Sequence, residues 1–115
     1  MHKGGCHCGA VRYEVKVDLE KPVIACNCSM CGRAGTYLSF VPAADFQLLA
    51  GQDALTLYKF NRQHIDHLFC KTCGIKSFAR GTARDGSRTV AVNVRCLDGV
   101  DLEKLKINHY NGKDA

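Results

Sequence analysis

The sequence lacks any long hydrophobic run, has only two prolines, and shows little helical periodicity. No apolar stretch approaches the roughly 18 residues of a membrane span, so no membrane contact is expected. The opening Met1-His2-Lys3-Gly4-Gly5-Cys6 carries no secretory hydrophobic segment, and the expectation is a cytoplasmic chain in a reducing compartment. Two prolines exclude a Pro-rich linker, and neither an internal repeat nor a low-complexity segment is present. The net charge is +5, from 16 Lys and Arg against 11 Asp and Glu, but the basic residues are scattered. Without a block of about five or six like charges, no nucleic-acid partner is expected. What remains is 115 residues, 46% apolar and 23% charged, ordinary for one globular domain over residues 1–115. A chain of this size buries about two-thirds of its unfolded surface, so its core is modest.

The local pattern is that of short strands. Val11, Tyr13, Val15 and Val17 alternate with Arg12, Glu14 and Lys16, the period-two signature of a strand with one buried face. Further strands are expected over Pro22–Ala25, Thr36–Val41, Leu55–Tyr58 and Thr89–Arg95. Helical turns are expected at Pro42–Phe46 and Asp101–Leu105, the first because proline suits an early helical position. The fold class is therefore mainly β with short helical turns. With no amphipathic crossover helix, a parallel α/β sheet is not expected.

What the chain has in excess is cysteine. The eight fall as Cys6-x-Cys8, Cys26-x-Cys28-x-x-Cys31, Cys70-x-x-Cys73 and a solitary Cys96. In a reducing compartment such spacing points to metal rather than to disulfides or redox pairs, which are the rival readings. In an extended segment residues i and i+2 point to one side, so Cys-x-Cys offers two thiolates to one ion. Cys-x-x-Cys in a tight turn does the same, with Gly74 suited to closing that turn. Cys6, Cys8, Cys70 and Cys73 are thus expected to form a closed tetrahedral zinc site of the structural kind, joining the start of the chain to its second half. Cys26, Cys28 and Cys31 give three ligands with an open position, the pattern of catalytic zinc, unless Cys96 or a histidine completes them. Cys96, at the end of a strand pattern, reads as a core residue. Seven thiolates with two Zn²⁺ would lower the net charge from +5 to about +2.

Three thiolates blunt the Lewis acidity of zinc toward water but suit a fourth sulfur ligand. The reaction class expected from the residues is addition of a thiol to a small carbonyl, or its reverse. A non-catalytic zinc module for protein binding is the alternative, because fold does not fix function.

The stretches Gly5-Cys6-His7-Cys8-Gly9-Ala10-Val11-Arg12-Tyr13, Cys26-Asn27-Cys28-Ser29-Met30-Cys31 and Phe69-Cys70-Lys71-Thr72-Cys73-Gly74 resemble the glutathione-dependent formaldehyde-activating enzyme family, which includes the centromere protein V group. Val92-Asn93-Val94-Arg95-Cys96-Leu97-Asp98 and Tyr110-Asn111-Gly112-Lys113 are similar to its later segments. The resemblance implies an Mss4-like, zinc-stapled β fold. It implies structural zinc on Cys6, Cys8, Cys70 and Cys73 and catalytic zinc on Cys26, Cys28 and Cys31. It also implies a carbon–sulfur lyase that makes S-hydroxymethylglutathione from glutathione and formaldehyde. The family's tail commonly reads Asp-Gly-Arg and an aromatic residue, whereas this chain has Asn111-Gly112-Lys113-Asp114-Ala115.

Glutathione carries two carboxylates, which basic side chains would meet. Arg33 lies nearest the open group in sequence, with Arg62, Arg80 and Arg95 as further candidates. Asn27 and Ser29, between the ligands, are candidate donors to a bound thiolate or oxyanion. His7, His64, His67 and His109 are weaker acid–base candidates. Lys3 and Lys71 are expected to offset the charge of the closed site.

Overall fold

The computed structural model describes residues 1–59, 65–83 and 85–112. Its strands are β1 (His2–Gly5), β2 (Arg12–Val15), β3 (Val23–Cys26), β4 (Leu38–Pro42), β5 (Phe46–Ala50), β6 (Leu55–Tyr58), β7 (Ile65–Cys70), β8 (Phe78–Thr82), β9 (Arg88–Asn93) and β10 (Ile107–Tyr110). One short helix, α1 (Ser29–Ala34), follows β3, and single helical turns lie at Ala43–Asp45, Gln52–Ala54, Val94–Cys96 and Leu102–Lys104. The protein is mainly β.

Among the described residues the strands form a three-stranded sheet, β1-β2-β5, and a seven-stranded sheet, β10-β3-β4-β9-β8-β7-β6. The pairings are antiparallel except that of β10 with β3, which is parallel and sets Tyr110 beside Cys26. The two sheets close over one core. Val11, Tyr13 and Val15 are fully buried, as their alternation requires, and meet Phe78, Val90 and Val92 from the larger sheet. Tyr13, Phe46 and Phe78 form an aromatic triangle with centroids 4.7–5.7 Å apart. The Tyr13 hydroxyl donates to the Ser77 carbonyl at 3.0 Å, which removes the cost of burying it. The sheets are further joined where Gly4 bridges Leu97, the Asp98 N–H donates to the Lys3 carbonyl, and Arg12 pairs with Asp98.

Only one face of the seven-stranded sheet is consumed by that core. Alternation places Phe40, Ala91, Ala79 and His67 in one cross-strand row on the opposite face. The central strands contribute alanines to it and the flanking strands larger side chains, so this face is concave. The strand expected to reach Arg95 stops at Asn93, because the Asn93 side chain accepts the Arg95 N–H and starts a helical turn there.

Candidate metal centres

Four sulfurs from distant parts of the chain meet at one end of the molecule. Cys6 follows β1 and Cys8 lies in the turn leading to β2. Cys70 ends β7 and Cys73 lies in the turn after it. Their Sγ atoms all lie within 4.8 Å of one another, with Cys6–Cys8 and Cys8–Cys70 both at 3.6 Å. A tetrahedron of zinc–sulfur bonds of about 2.3 Å has edges of about 3.8 Å, so this spacing suits it. The Cys6-x-Cys8 segment is a turn, not the extended segment expected; the turn rather than strand alternation brings its sulfurs together.

Backbone donors are already aimed at the sulfurs. The N–H of Val11 donates to Cys6 Sγ at 3.3 Å and that of Thr72 to Cys70 Sγ at 3.4 Å, as in the outer shell of thiolate–metal sites. Gly74 closes the second turn at φ +79°, donating its N–H to the Cys70 carbonyl at 2.8 Å. The N–H groups of Ile75 and Cys8 bring the Cys73 thiol down to about 6, and the Cys73 N–H lowers Cys70. Cys8 goes the other way. The Ala10 N–H favours its thiolate, but desolvation and the sulfurs of Cys6, Cys70 and Cys73 outweigh that and push it up to about 11. Like charges sharing a site divide in this manner, and a divalent cation among them removes the repulsion.

The second group is built by the end of β3 and the start of α1. Cys26 is the last residue of β3, Cys28 caps α1, and Cys31 lies in its first turn. Their three Sγ atoms also lie within 4.8 Å of one another. Cys28 Sγ accepts the Cys31 N–H at 3.3 Å and Cys26 Sγ the Cys28 N–H at 3.4 Å. Burial and the neighbouring Cys28 sulfur push Cys31 up to about 12. For Cys28, burial opposes ionisation, but the Cys31 N–H and the adjoining sulfurs hold it below its usual value. Among the described residues no fourth Cys, His, Asp or Glu joins this group. All eight cysteines are free, and both groups could hold a metal ion, with a soft donor set compatible with zinc. Cys96 belongs to neither; it lies 3.9 Å from the Lys76 carbonyl, with its thiol pushed up to about 11 by burial.

The tail forms a wall of the second group. The Asn27 N–H donates to the Tyr110 carbonyl at 3.1 Å, and the Asn27 side chain donates to Asn111 Oδ1 at 2.9 Å. A Cβ at Gly112 would stand 2.5 Å from Cys26 Sγ and 3.2 Å from the Cys28 Cβ. Glycine is therefore required there for close approach to the sulfurs.

On its other side the group opens onto the concave sheet face, a trough of about 640 Å³. Lys76 lines it beside the sulfurs. Burial lowers its ammonium pKa, and the charges of Cys31 and Cys28 work against that fall. Its backbone is fixed by Asn93, whose Nδ2 donates to the Lys76 carbonyl at 3.0 Å while its Oδ1 accepts the Tyr37 N–H at 3.3 Å.

The candidate contact residues are not all brought to the trough. Asn27 and Ser29 are exposed at the second group. Arg33 turns back to its own helix, donating to the Ser29 carbonyl at 3.0 Å, and does not line the trough. Arg95 lies over the Tyr37 ring, and Arg80, though it borders the trough, lies with its guanidinium over Phe78. His7 and His109 are exposed, whereas His67 is buried on β7 and lines the trough. Burial and the Lys76 charge lower His67 to about 4, so it is neutral at pH 7. Arg62, His64 and Lys113 lie outside the described residues. Lys76 was missed by sequence reasoning. Its position three residues after Cys73 associates it with the first sulfur group, and only the sheet register carries it across to the second.

Fold and sulfur groups together define a small β protein with one group of four cysteine sulfurs and, among the described residues, one of three. Residues 1–111 match the model of the glutathione-dependent formaldehyde-activating enzyme family, and the chain belongs to that family. A Halomonas elongata protein, provisionally named a glutathione-dependent formaldehyde-activating enzyme, is 32% identical over 82 residues, covering 62% of this chain and 50% of its own length. The chain thus spans about half the length of that curated relative. A crystal structure of a Rhodobacter sphaeroides protein matches with a TM-score of 0.79 at 34% identity, covering 92% of this chain and 99% of that one. No helix among the described residues is long and apolar enough to cross a membrane.

Proposed function

We propose that the chain is one zinc-dependent catalytic domain, residues 1–115, that makes and breaks the carbon–sulfur bond between a thiol and a small aldehyde, as a carbon–sulfur lyase does. Glutathione and formaldehyde are the partners in the family's namesake reaction, and cytoplasm is the compartment in which such free thiols persist. Cys6, Cys8, Cys70 and Cys73 hold the structural ion, and Cys26, Cys28 and Cys31 the catalytic one. The observation that carries this reading is the second sulfur group, three convergent thiols beside a trough with no fourth protein ligand among the described residues.

Zinc on those three sulfurs would supply the positive charge that keeps an incoming thiol ionised near neutral pH. The remaining work falls to the chain. As the sulfur lone pair forms the S–C bond, the C=O pair moves onto oxygen, and that oxygen takes up one proton, balancing the one lost by the thiol. Lys76 Nζ, beside Cys31 and Cys28, offsets the thiolate charge and donates a hydrogen bond to the developing oxyanion. Asn27 and Ser29 stand exposed between the sulfurs in sequence, and the Asn27–Asn111 bond fixes the tail against the group on the side away from the trough.

Glutathione added to the two-zinc protein at pH 7 is expected to release a proton on binding and to accelerate formaldehyde consumption over the uncatalysed mixture. Both effects should vanish in Cys28→Ser. Calorimetry in two buffers of different ionisation enthalpy reads the proton. Binding without proton release, or an unaltered formaldehyde rate, would overturn the reading.

A further inference from the structure

The trough is far larger than its named small substrate. Formaldehyde has two heavy atoms and fills about two water volumes, roughly 60 Å³, a tenth of the space available. Its walls are hydrocarbon: Ile24, Leu38, Phe40 and Ile65 stand around a floor of Ala79 and Ala91. Phe40 and Ile65 are 56% and 46% exposed, large apolar side chains left open on a sheet face that the core does not use. Among the described lining residues the cations are Lys76, at the sulfurs, and Arg80, whose guanidinium lies over Phe78. Along the described walls Ile24, Leu38, Phe40 and Ile65 offer no charged partner to a carboxylate, and burying one against them is costly.

We propose that the trough is the subsite for the hydrocarbon body of the carbonyl substrate, so that this chain acts on alkyl or aryl aldehydes longer than formaldehyde. The proposal rests on the reading of Cys26, Cys28 and Cys31 as the reacting centre, because it is the continuity of trough and sulfur group that orients the aldehyde. The carbonyl end lies at Lys76 and the sulfurs, and the chain runs along Ala91 and Ala79 between Phe40 and Ile65. His67 on the same row is neutral at pH 7 and adds no charge to it.

Unreactive n-alkyl amides, from acetamide to octanamide, mimic the aldehydes and test this on the two-zinc protein. Titration followed through the Ala79 and Ala91 methyl resonances is expected to show affinity rising about threefold to fourfold per methylene over the middle of the series. Ala91→Phe should flatten the series with both zinc ions retained. Ile65→Glu alters only an exposed wall, so it should fold, and it should weaken the longer amides several-fold. A flat series in the unsubstituted protein overturns the proposal even if glutathione and formaldehyde react. A rising series without any thiol–aldehyde reaction overturns the reaction reading and with it the assignment of the trough to an aldehyde. A face closed by a second copy, seen as concentration-dependent sedimentation with amide binding lost on association, would also overturn it.

Discussion

Replacing Cys70 by serine is expected to leave no stably folded protein at 25 °C. Cys70 is fully buried, its sulfur lies 3.6 Å from that of Cys8, and the two residues are 62 positions apart. A closed thiolate site of this kind contributes about 10–16 kcal/mol to folding in small zinc domains. A domain of this size has a net stability of only about 5–15 kcal/mol, so the site decides whether the chain folds. Serine is a poor zinc ligand and leaves a buried hydroxyl in place of a thiolate. Near-ultraviolet circular dichroism should lose the signal of the Tyr13–Phe46–Phe78 cluster, and zinc per chain should fall from two toward zero. Cys28→Ser is the control: it should lose one zinc and keep that aromatic signal. Equal behaviour of the two variants would contradict the division into a folding site and a reacting site.

Gly112→Val should produce the second large effect without touching a ligand. Its Cβ would overlap Cys26 Sγ at 2.5 Å, and the parallel pairing of β10 with β3 prevents the tail from yielding cheaply. The sulfur must move, because the alternative is to break the Asn27 contacts to Tyr110 and Asn111. Zinc is expected to drop to one per chain, with thiol binding lost and the melting temperature lowered by only a few degrees, since the tail lies outside the main core. Two tightly held zinc ions in Gly112→Val would show that the tail does not form this wall.

Both sulfur groups were legible in the sequence because ligand spacing is short-range, so three local motifs suffice to mark seven thiols. The strands read from alternation or apolar runs also formed, as β2, β3, β4, β6 and β9; β2, β4 and β9 bury one face in the core, whereas β6 is an edge strand with only Leu55 packed against it. The remaining strands carry weaker marks. β1 is His-Lys-Gly-Gly, whose glycines are poor strand formers but allow close approach to Val11 and Leu97. β8 reads Phe-Ala-Arg-Gly-Thr, and its alanine packs with Leu38 and Ala91 in a small cluster beneath the trough. β10 is mostly exposed and is held by its parallel pairing with β3, a non-local partner that no periodicity reports. Helix α1 has only six residues, one of them glycine. A cysteine sulfur caps it, so its existence follows from the sulfur group rather than from helix propensity. The site suffered in the same way. Arg33 is near the sulfurs in sequence but bonds its own helix, whereas Lys76 is distant in sequence and reaches them through the sheet.

The central claim is that one thiolate cluster is closed and the other accepts an exogenous thiol. Zinc X-ray absorption on the two-zinc protein, before and after saturation with glutathione, tests it most directly. One site of four sulfurs and one of three sulfurs with an oxygen predict an average of about 3.5 sulfurs per zinc. Glutathione should raise that average to about 4 as the oxygen scatterer is lost. An all-sulfur shell that glutathione leaves unchanged would contradict the account, as would an oxygen scatterer that persists at saturation.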